Sequence, residues 1–376
     1  MTHPGLETIL RLELEAIGAK PATPITGGVT FDGTFEMIAR ANLSLRTASR
    51  VLLRVDSFHA AAFSELERHA NRVPWERFVA AGRAAHFRVT TRKSKLYHER
   101  GIAERLATAL TRRCPGVQIV AGRGDTDSEE RDVAIETSIQ RFVVRFDHDI
   151  CAVSADTSGP LLHRRGYRVE TGKAPLRETL AAGLLLAAGW DGTLPLVDPM
   201  CGSGTIPIEA ALIARRIAPG LGRRFAFERW PGFDSARFQA IQSELRERIV
   251  DALPVPVIGA DRDRGAIAIA QGNAERAGLG QQIVWRQGAI SSLAVPSEPG
   301  WVITNPPYGA RLGERDRLRD LYAQLGNVLR RKAMGWRVAM ISADRRLEGQ
   351  IGFRWRELAQ TENGGIRVRF IAAEVG

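Results

Sequence analysis

The feature that most constrains the fold is a glycine turn, Asp198–Thr205 (DPMCGSGT), which lies between a short apolar run and a helical pattern. The apolar run 194–197 predicts a buried strand, and the turn opens a predicted helix, Thr205–Ile217. Gly202 and Gly204 permit backbone angles and close approaches that other residues disfavour. Open α/β sheets bind ligands at the carboxyl ends of their strands, so the sequence predicts a ligand site at this turn.

The segments around this turn alternate between strand and helix patterns. The predicted strands after the turn are Val255–Ile258, Ile283–Trp285, Trp301–Thr304, Val338–Ser342 and Ile366–Ala372. The predicted helices are Leu176–Ala188, Ala266–Ala277 and Leu318–Leu329. This order is typical of an α/β fold with a doubly wound, Rossmann-like sheet.

The N-terminal half predicts a smaller α+β region. Its patterns predict helices at 6–17, Phe35–Leu43 and Ile102–Leu110, and strands at 29–31, Val51–Phe58, His86–Thr91, Val133–Ile139, Phe142–Phe146 and Cys151–Ser154. An acid-rich loop, Gly122–Asp132, precedes the late strands. A boundary between the two halves is predicted near Thr157–Pro160, where the pattern changes.

The charge of the chain favours a polyanionic partner such as nucleic acid. There are 53 basic and 42 acidic residues, a net charge of +11, and the pI is near 10.3. Most basic residues are arginines, a bias that genome composition alone also explains. Two basic runs stand out, at 92–95 and 162–168. The alternative for the first is a solvated surface, and the alternative for the second is an ordinary connection between domains. The candidate RNA contacts in these runs are Lys93, Lys95, Arg164, Arg165 and Arg168, with Tyr167 able to stack on a base.

Several classes of protein are disfavoured by composition. Cys114, Cys151 and Cys201 are far apart and show no metal-ligand spacing, so we expect neither a metal site nor a disulfide framework. Residues 1–20 contain no long apolar run, and no segment approaches the ~20 apolar residues of a membrane span. We therefore expect a cytoplasmic protein with no membrane partner.

A second strand end supplies an acid. Asp261 follows Val257–Ala260, and an acid there can accept hydrogen bonds from both hydroxyls of a ribose. A cap or turn role is the alternative for Asp261, and Asp263 is predicted to cap the next helix. Pro207 occupies the place of the third glycine in a dinucleotide fingerprint, which argues against an NAD enzyme. No Lys-Ser/Thr pair follows the glycines, so a P-loop is excluded.

The third motif is Asn305–Gly309 (NPPYG), directly after a predicted strand. An exocyclic base amine is a poor nucleophile because its lone pair is delocalised into the ring. The side-chain carbonyl of Asn305 and the backbone carbonyl of Pro306 can accept its two N–H bonds and orient the nitrogen. Pro307 stiffens the loop, and Tyr308 offers a ring face to an unstacked base. A simple rigid turn is the alternative.

These motifs together resemble the THUMP-domain class I methyltransferases, in the RlmL/YpsC-like group of ribosomal RNA guanine-N2 methyltransferases. The resemblance extends over nearly the whole chain. It includes Gly5–Glu7, Gly27–Val29, Leu162–Arg168, Ala174–Leu180 and the motifs described above. The family implies three parts: a ferredoxin-like unit at 1–55, a THUMP RNA-binding domain at 56–158 and a class I methyltransferase domain at 159–376.

The resemblance also implies roles for individual residues. Asp261 holds the ribose of S-adenosyl-L-methionine (SAM), Ala289 lies at the position facing its adenine, and Asn305 with Pro306, Pro307 and Tyr308 presents the base. Many relatives have an Asp at the position of Ala289, so adenine recognition here is expected to be weaker or to use a backbone carbonyl. The residues implied to surround the methionine end of the cofactor are Asp198, Met200, Cys201, Gly202, Gly204 and Thr205.

The favoured function is SAM-dependent methylation of guanine N2 in 23S ribosomal RNA. We expect a single activity, because the second methyltransferase half that some relatives carry is not present. The alternatives are a tRNA guanine-N2 methyltransferase, an adenine-N6 DNA methyltransferase and a non-catalytic RNA-binding factor. Adenine-N6 DNA methyltransferases have a motif of the same type as the one at Asn305, and the departure at Ala289 motivates the non-catalytic alternative.

Overall fold

A computed structural model describes residues 1–120, 138–168, 176–308 and 315–376. None of the helices in these ranges is long and apolar enough to cross a lipid bilayer. Four sequence predictions lie wholly or partly outside the described residues: the loop Gly122–Asp132, the strand Val133–Ile139, the dipeptide Ala174-Pro175 and Gly309.

The first unit is a helix, a hairpin and a second helix. Its elements are α1 (Glu7–Ala16), β1 (Ala22–Ile25), β2 (Gly28–Phe31) and α2 (Phe35–Ser44), and β1 pairs antiparallel with β2. Leu10 and Leu14 lie one turn apart on α1 and are buried, as the helical period requires. They share a core with Phe225 and Phe227 from the C-terminal half, so this unit packs directly on that half.

The second unit is a five-stranded sheet with helices on one face. Its elements are β3 (Leu52–His59), α3 (Phe63–Ala70), β4 (Ala84–Arg92), α4 (Glu99–Arg113), β5 (Gln118–Ile119), β6 (Ile139–Asp147) and β7 (Ile150–Asp156). The strand order is β3-β7-β6-β4-β5. Alternate residues such as Phe87 and Phe142 are buried against Trp75 and the helices, and the intervening residues form the other face. Strand β3 runs across the predicted boundary at 55/56, and the three domain limits stay predictions.

The third unit is the α/β sheet that the glycine turn predicted. Its elements are α5 (Glu178–Ala188), β8 (Leu196–Asp198), α6 (Thr205–Ala214), α7 (Ser235–Glu247), β9 (Val257–Asp261), α8 (Arg264–Arg276), β10 (Val284–Gln287), β11 (Trp301–Thr304), α9 (Arg315–Lys332), β12 (Arg337–Ser342), α10 (Arg345–Ile351), β13 (Arg356–Asn363) and β14 (Ile366–Glu374). The strand order is β10-β9-β8-β11-β12-β14-β13. The first five strands are parallel, and β14 is antiparallel to both of its neighbours.

This strand order places the ligand site. After β8 the chain adds β9 and then β10 on one side of the sheet, and after β11 it adds β12 on the other side. The topological switch point therefore lies between the neighbours β8 and β11. Every residue of β8 and of β11 is buried, as expected for central parallel strands covered by helices on both faces. The carboxyl ends of β8 and β11 carry Asp198 and Thr304, and the glycine turn and the Asn305 loop begin there.

The second basic run is a correction to the sequence analysis. Arg165 and Tyr167 are buried, and both contact the buried carboxylate of Glu209 on α6, at 3.3 Å from Arg165 Nε and 3.2 Å from the Tyr167 hydroxyl. Arg168 is also largely buried and donates to the Thr205 hydroxyl at 2.8 Å. The predicted RNA contacts of Arg165, Tyr167 and Arg168 are therefore wrong, because carboxylate, hydroxyl and carbonyl groups inside the protein already bind these side chains.

The buried Arg165–Glu209 pair gives a test of stability. We expect Arg165→Leu to lower the free energy of unfolding by about 3–5 kcal/mol, because it leaves a buried carboxylate without its cation. The double variant Arg165→Leu/Glu209→Leu removes both charges and should recover part of that loss. Urea denaturation measures both effects. Arg248→Leu, which breaks an exposed pair with Glu244, serves as the control and should cost less than about 1 kcal/mol. A double variant no more stable than Arg165→Leu would contradict this account.

Candidate active site

The glycine turn lies against the end of β9. The Cys201 N–H donates to the Ala260 carbonyl at 2.9 Å, and the Gly204 N–H donates to the Cys201 carbonyl at 2.8 Å. Gly202 and Gly204 have φ of +52° and +83°, in the left-handed region that favours glycine. Gly204 is the residue before α6, so the free N–H groups and the positive end of that helix face the site.

Gly204 is also required by close packing. A Cβ atom there would lie 2.7 Å from the ring of Trp285 and 2.8 Å from Cβ of Ala270. At Gly259 on β9, a Cβ would lie 2.3 Å from the same ring. The indole of Trp285 therefore rests directly on the backbone of the turn and of β9, and this contact fixes the shape of the cradle.

Asp261 supports the turn from the next strand. Its Oδ2 accepts from the Gly202 N–H at 3.0 Å, and its Oδ1 accepts from the Asp263 N–H at 2.9 Å. A carboxylate oxygen has two acceptor positions, so each oxygen can accept a further donor such as a ribose hydroxyl. Asp263 caps α8 by accepting from the Gly265 and Ala266 N–H groups, which confirms the cap prediction.

Asp198 joins the glycine turn to the neighbouring strand end. Its Oδ1 accepts from the Met200 N–H at 3.1 Å and from the Thr304 hydroxyl at 2.7 Å. Burial raises the pKa of Asp198 to about 7, the two hydrogen bonds oppose that rise, and nearby Asp261 adds to it. The carboxyl group is thus a fixed structural link between the end of β8 and the residue before Asn305.

The Asn305 loop is held from two further elements. The Tyr322 hydroxyl on α9 donates to the Pro307 carbonyl at 3.2 Å, and the Asn363 amide at the end of β13 donates to the Tyr308 hydroxyl at 2.6 Å. Tyr322 and Asn363 were not identified from the sequence, because no local pattern shows which distant loop a single polar group contacts.

Asn305 carries an unsatisfied acceptor. Its side-chain oxygen, Oδ1, is buried and has no hydrogen-bond partner among the residues that the structure describes. A buried polar atom left without a partner costs roughly 1–3 kcal/mol, so native proteins rarely keep one without a reason. The structure therefore brings an unused carbonyl acceptor to the same sheet edge as the glycine turn.

Comparison with known proteins gives the family. Residues 165–369 match the model of the RMKL-like methyltransferase domain, and residues 1–52 match that of the RlmL ferredoxin-like domain. The chain belongs to the RMKL-like methyltransferase family. A Synechocystis protein named as a candidate RNA methyltransferase is 34% identical over 99% of this chain and 94% of its own length.

Two further relatives are informative. The ribosomal RNA large subunit methyltransferase K/L of Syntrophotalea carbinolica is 38% identical over 99% of this chain, which spans only 52% of that relative. The solved structure of SMU.472, a candidate methyltransferase in complex with S-adenosylhomocysteine, superposes with a TM-score of 0.85 at 30% identity and covers the whole chain and 97% of its own. This family member is accordingly a SAM-dependent methyltransferase with an α/β fold.

The site fits this cofactor on its own geometry. A Cβ at Gly202 would meet nothing within 4 Å, so the turn borders open space there. The start of α6 suits a carboxylate, and Asp261 retains acceptor positions for hydroxyls. Burial raises the pKa of the Cys201 thiol well above its usual value, so the thiol stays protonated and is not a nucleophile. Among the described residues, no group of three or more His, Cys, Asp or Glu side chains could hold a metal ion.

Ala289 follows β10 and its methyl group is exposed. Its carbonyl already accepts from the Ser292 N–H at 2.9 Å and from the Ser292 hydroxyl at 2.7 Å. Both acceptor positions of that carbonyl are thus in use. Recognition of the adenine amine through a backbone carbonyl would require another residue. The role of Ala289, like those of Met200 and Thr205, stays a prediction.

The cradle at Gly204 can be tested directly. Gly204→Ala forces a Cβ against Trp285 at a left-handed position, so we expect SAM to bind about ten-fold or more weakly. Calorimetric titration with SAM measures the dissociation constant. Gly222→Ala is the matched control, because a Cβ there meets nothing within 4 Å. Equal affinity in both variants would rule out this turn as the cofactor cradle.

The buried carboxyl of Asp198 predicts a pH effect. Its pKa is about 7 in the folded protein, against an ordinary value of 3.8 for this carboxyl group, so the folded protein holds this proton more tightly. The contribution of Asp198 to stability therefore falls as pH rises from about 4 to about 7. Asp198→Asn keeps an acceptor oxygen without titrating, so its urea midpoint should rise relative to wild type between pH 4.5 and 7.5. Asp251→Asn, at an exposed position, is the control. Parallel pH profiles of Asp198→Asn and wild type would contradict the prediction.

Proposed function

We propose that this methyltransferase transfers the methyl group of SAM to the exocyclic N2 amine of a guanine in 23S ribosomal RNA. The observation that carries the proposal is the buried, unused Oδ1 acceptor of Asn305 beside the glycine turn. Relatives named as large-subunit ribosomal RNA methyltransferases support the choice of RNA. Since such an RNA lies in the cytoplasm of bacteria, we expect the protein to act there.

Because the exocyclic amine of the base is a weak nucleophile, the protein has to orient it toward the methyl group. The cofactor supplies an electrophilic methyl group on a sulfonium. In the step, the bond between the base nitrogen and the methyl carbon forms as the sulfur–methyl bond breaks, and the nitrogen then loses one proton to water. Asn305 Oδ1 and the Pro306 carbonyl accept the two N–H bonds of the amine, which turns its lone pair toward the methyl group.

The loop around Asn305 restricts the motion of the base. Pro306 and Pro307 limit the backbone, and the bond from Tyr322 holds the Pro307 carbonyl. The bond from Asn363 fixes the Tyr308 hydroxyl, so the ring keeps one orientation for stacking against an unstacked base. In the proposed mechanism these groups position the base, and none of them removes its proton.

We also propose that the region 56–158 binds RNA as a THUMP domain. Lys93 and Lys95 follow β4 and are exposed, so both ammonium groups can contact phosphates. Arg164 stays a proposed phosphate contact, although it is half-buried and therefore less accessible to RNA than the two lysines.

The same acceptor would fit the N6 amine of adenine, so a DNA adenine methyltransferase is the second candidate. A tRNA guanine is a third substrate that the pocket chemistry allows. A non-catalytic role would leave the Asn305 acceptor without a donor. Substrate assays separate these candidates.

We expect ribosomal RNA, and not tRNA or duplex DNA, to accept label from SAM, with N2-methylguanosine identified by mass spectrometry of the digested RNA. Asn305→Ala should lower turnover about 10²–10³-fold, because one of the amine acceptors is lost. Its affinity for SAM, measured by calorimetry, should change by less than about ten-fold. Asn327→Ala, an exposed position on α9, is the matched control. Label only in DNA adenine, or full turnover by Asn305→Ala, would overturn the proposal.

A further inference from the structure

Among the described residues, the five-stranded sheet has one face packed against helices and a second face that carries exposed side chains, called here the open face. Side chains alternate along each strand, so residues next to the buried Phe87 and Phe142 point the other way. The open face carries Arg54 on β3, Arg145 on β6 and Arg88 on β4, and all three are exposed. We call this surface the arginine face.

The strand register brings these arginines together. Arg54 lies opposite Ser154, which lies opposite Val143, which lies opposite Arg88, so one row crosses four strands. Arg145 is in the next row of the same face. Partial burial lowers the pKa of Arg145, and the charges of Arg54 and Arg88 lower it further. The guanidinium groups are thus close enough to repel one another.

Other exposed arginines of this unit, at the end of β4 and on α4, pair with carboxylates. Arg92, at the end of β4, forms a bidentate pair with Asp147 at 3.0 and 2.8 Å. Arg100 and Arg105 on α4 pair with Glu104 and Glu67. Within the ranges that the structure describes, neither Arg54 nor Arg145 pairs with a carboxylate; Arg54 donates to the Ser154 hydroxyl and Arg145 to the Met1 thioether.

Arg54 and Arg145 lie close to a third arginine, and neither pairs with a carboxylate among the described residues, so these two side chains suit an anionic ligand from outside the protein. Guanidinium groups bind phosphate oxygens through paired N–H donors. Lys93 and Lys95 lie just beyond the carboxyl end of β4, so the exposed positive charge continues from the face around that end of the sheet.

We propose that the arginine face binds the phosphate backbone of the RNA substrate, with Arg54 and Arg145 among the direct contacts. The proposal rests on the proposed function, because it assumes an RNA substrate. It places the main contact on the open side of the sheet, and within the basic run at 162–168 only Arg164 stays a proposed contact. It also predicts contacts to phosphate that do not depend on base sequence.

The test compares two matched pairs of variants. Arg54→Gln/Arg145→Gln removes two charges from the arginine face. Arg100→Gln/Arg112→Gln removes two charges from α4, on the covered side of the same sheet. Binding of deproteinised ribosomal RNA is measured over a series of KCl concentrations. We expect the arginine-face variant to bind about ten-fold or more weakly near 0.15 M salt, with a salt slope smaller by about 1.5, and the α4 variant to match wild type.

Each outcome decides one question. Calorimetric titration with SAM should give the wild-type affinity for all variants, which shows that the cofactor domain is intact. If wild type binds and methylates ribosomal RNA but the arginine-face variant keeps its affinity and slope, the surface proposal fails alone. If both pairs weaken binding equally, net charge and not this face is responsible, and the proposal also fails. If wild type neither binds nor methylates ribosomal RNA, the proposed function fails with it.

Discussion

One buried oxygen holds the two halves of the active site in register. Asp198 Oδ1 accepts from the Met200 N–H in the glycine turn and from the Thr304 hydroxyl at the end of β11. Without this shared acceptor, the cofactor turn and the base loop would be two independent loops at neighbouring strand ends. The protein tolerates the buried carboxyl because hydrogen bonds satisfy it and because its raised pKa allows it to be neutral. Asp261 extends the same arrangement to β9 through Gly202.

The N-terminal units are tied to the helix that begins at this turn. Arg46, between α2 and β3, donates to the carbonyls of Leu212 in α6 and of Ile217 just after it, at 3.3 and 2.7 Å. The Arg46 carbonyl in turn accepts from Arg165, which also contacts Glu209 on α6. Trp230, in the segment between α6 and α7, donates to Gln140 on β6 at 2.7 Å. These polar contacts are buried or partly buried, so they are stronger than the same contacts in water and restrict relative motion. An RNA held on the N-terminal sheet would accordingly be held at a defined position relative to the methyl donor.

The sequence predicted the active-site elements well, because each combines an apolar strand with turn residues of special geometry. Trp301–Thr304 has the predicted bounds, and the turn before Thr205 starts its helix where the glycines indicated. It missed β13, whose residues are largely exposed and polar, and β1, which contains Pro24. It assigned Arg165 to the surface because a local basic run does not show that Glu209, far along the chain, will bury it.

Whether an arginine has a structural or a ligand-binding role depends more on its partners in the fold than on its position in a basic run. Arg165 is charged and buried, yet Glu209 and backbone carbonyls take up its donors, so it contributes to structure. Arg54 and Arg145 were inconspicuous in the sequence, since each is one alternate residue of a strand, yet the structure gives them no carboxylate in the described residues. Genome composition can raise the number of arginines in a chain, but it does not select which of them fold beside acids. The same reasoning applies to Asn305, whose side-chain oxygen is an acceptor where the arginines are donors. A buried polar group that has no partner among the described residues indicates where a ligand supplies one.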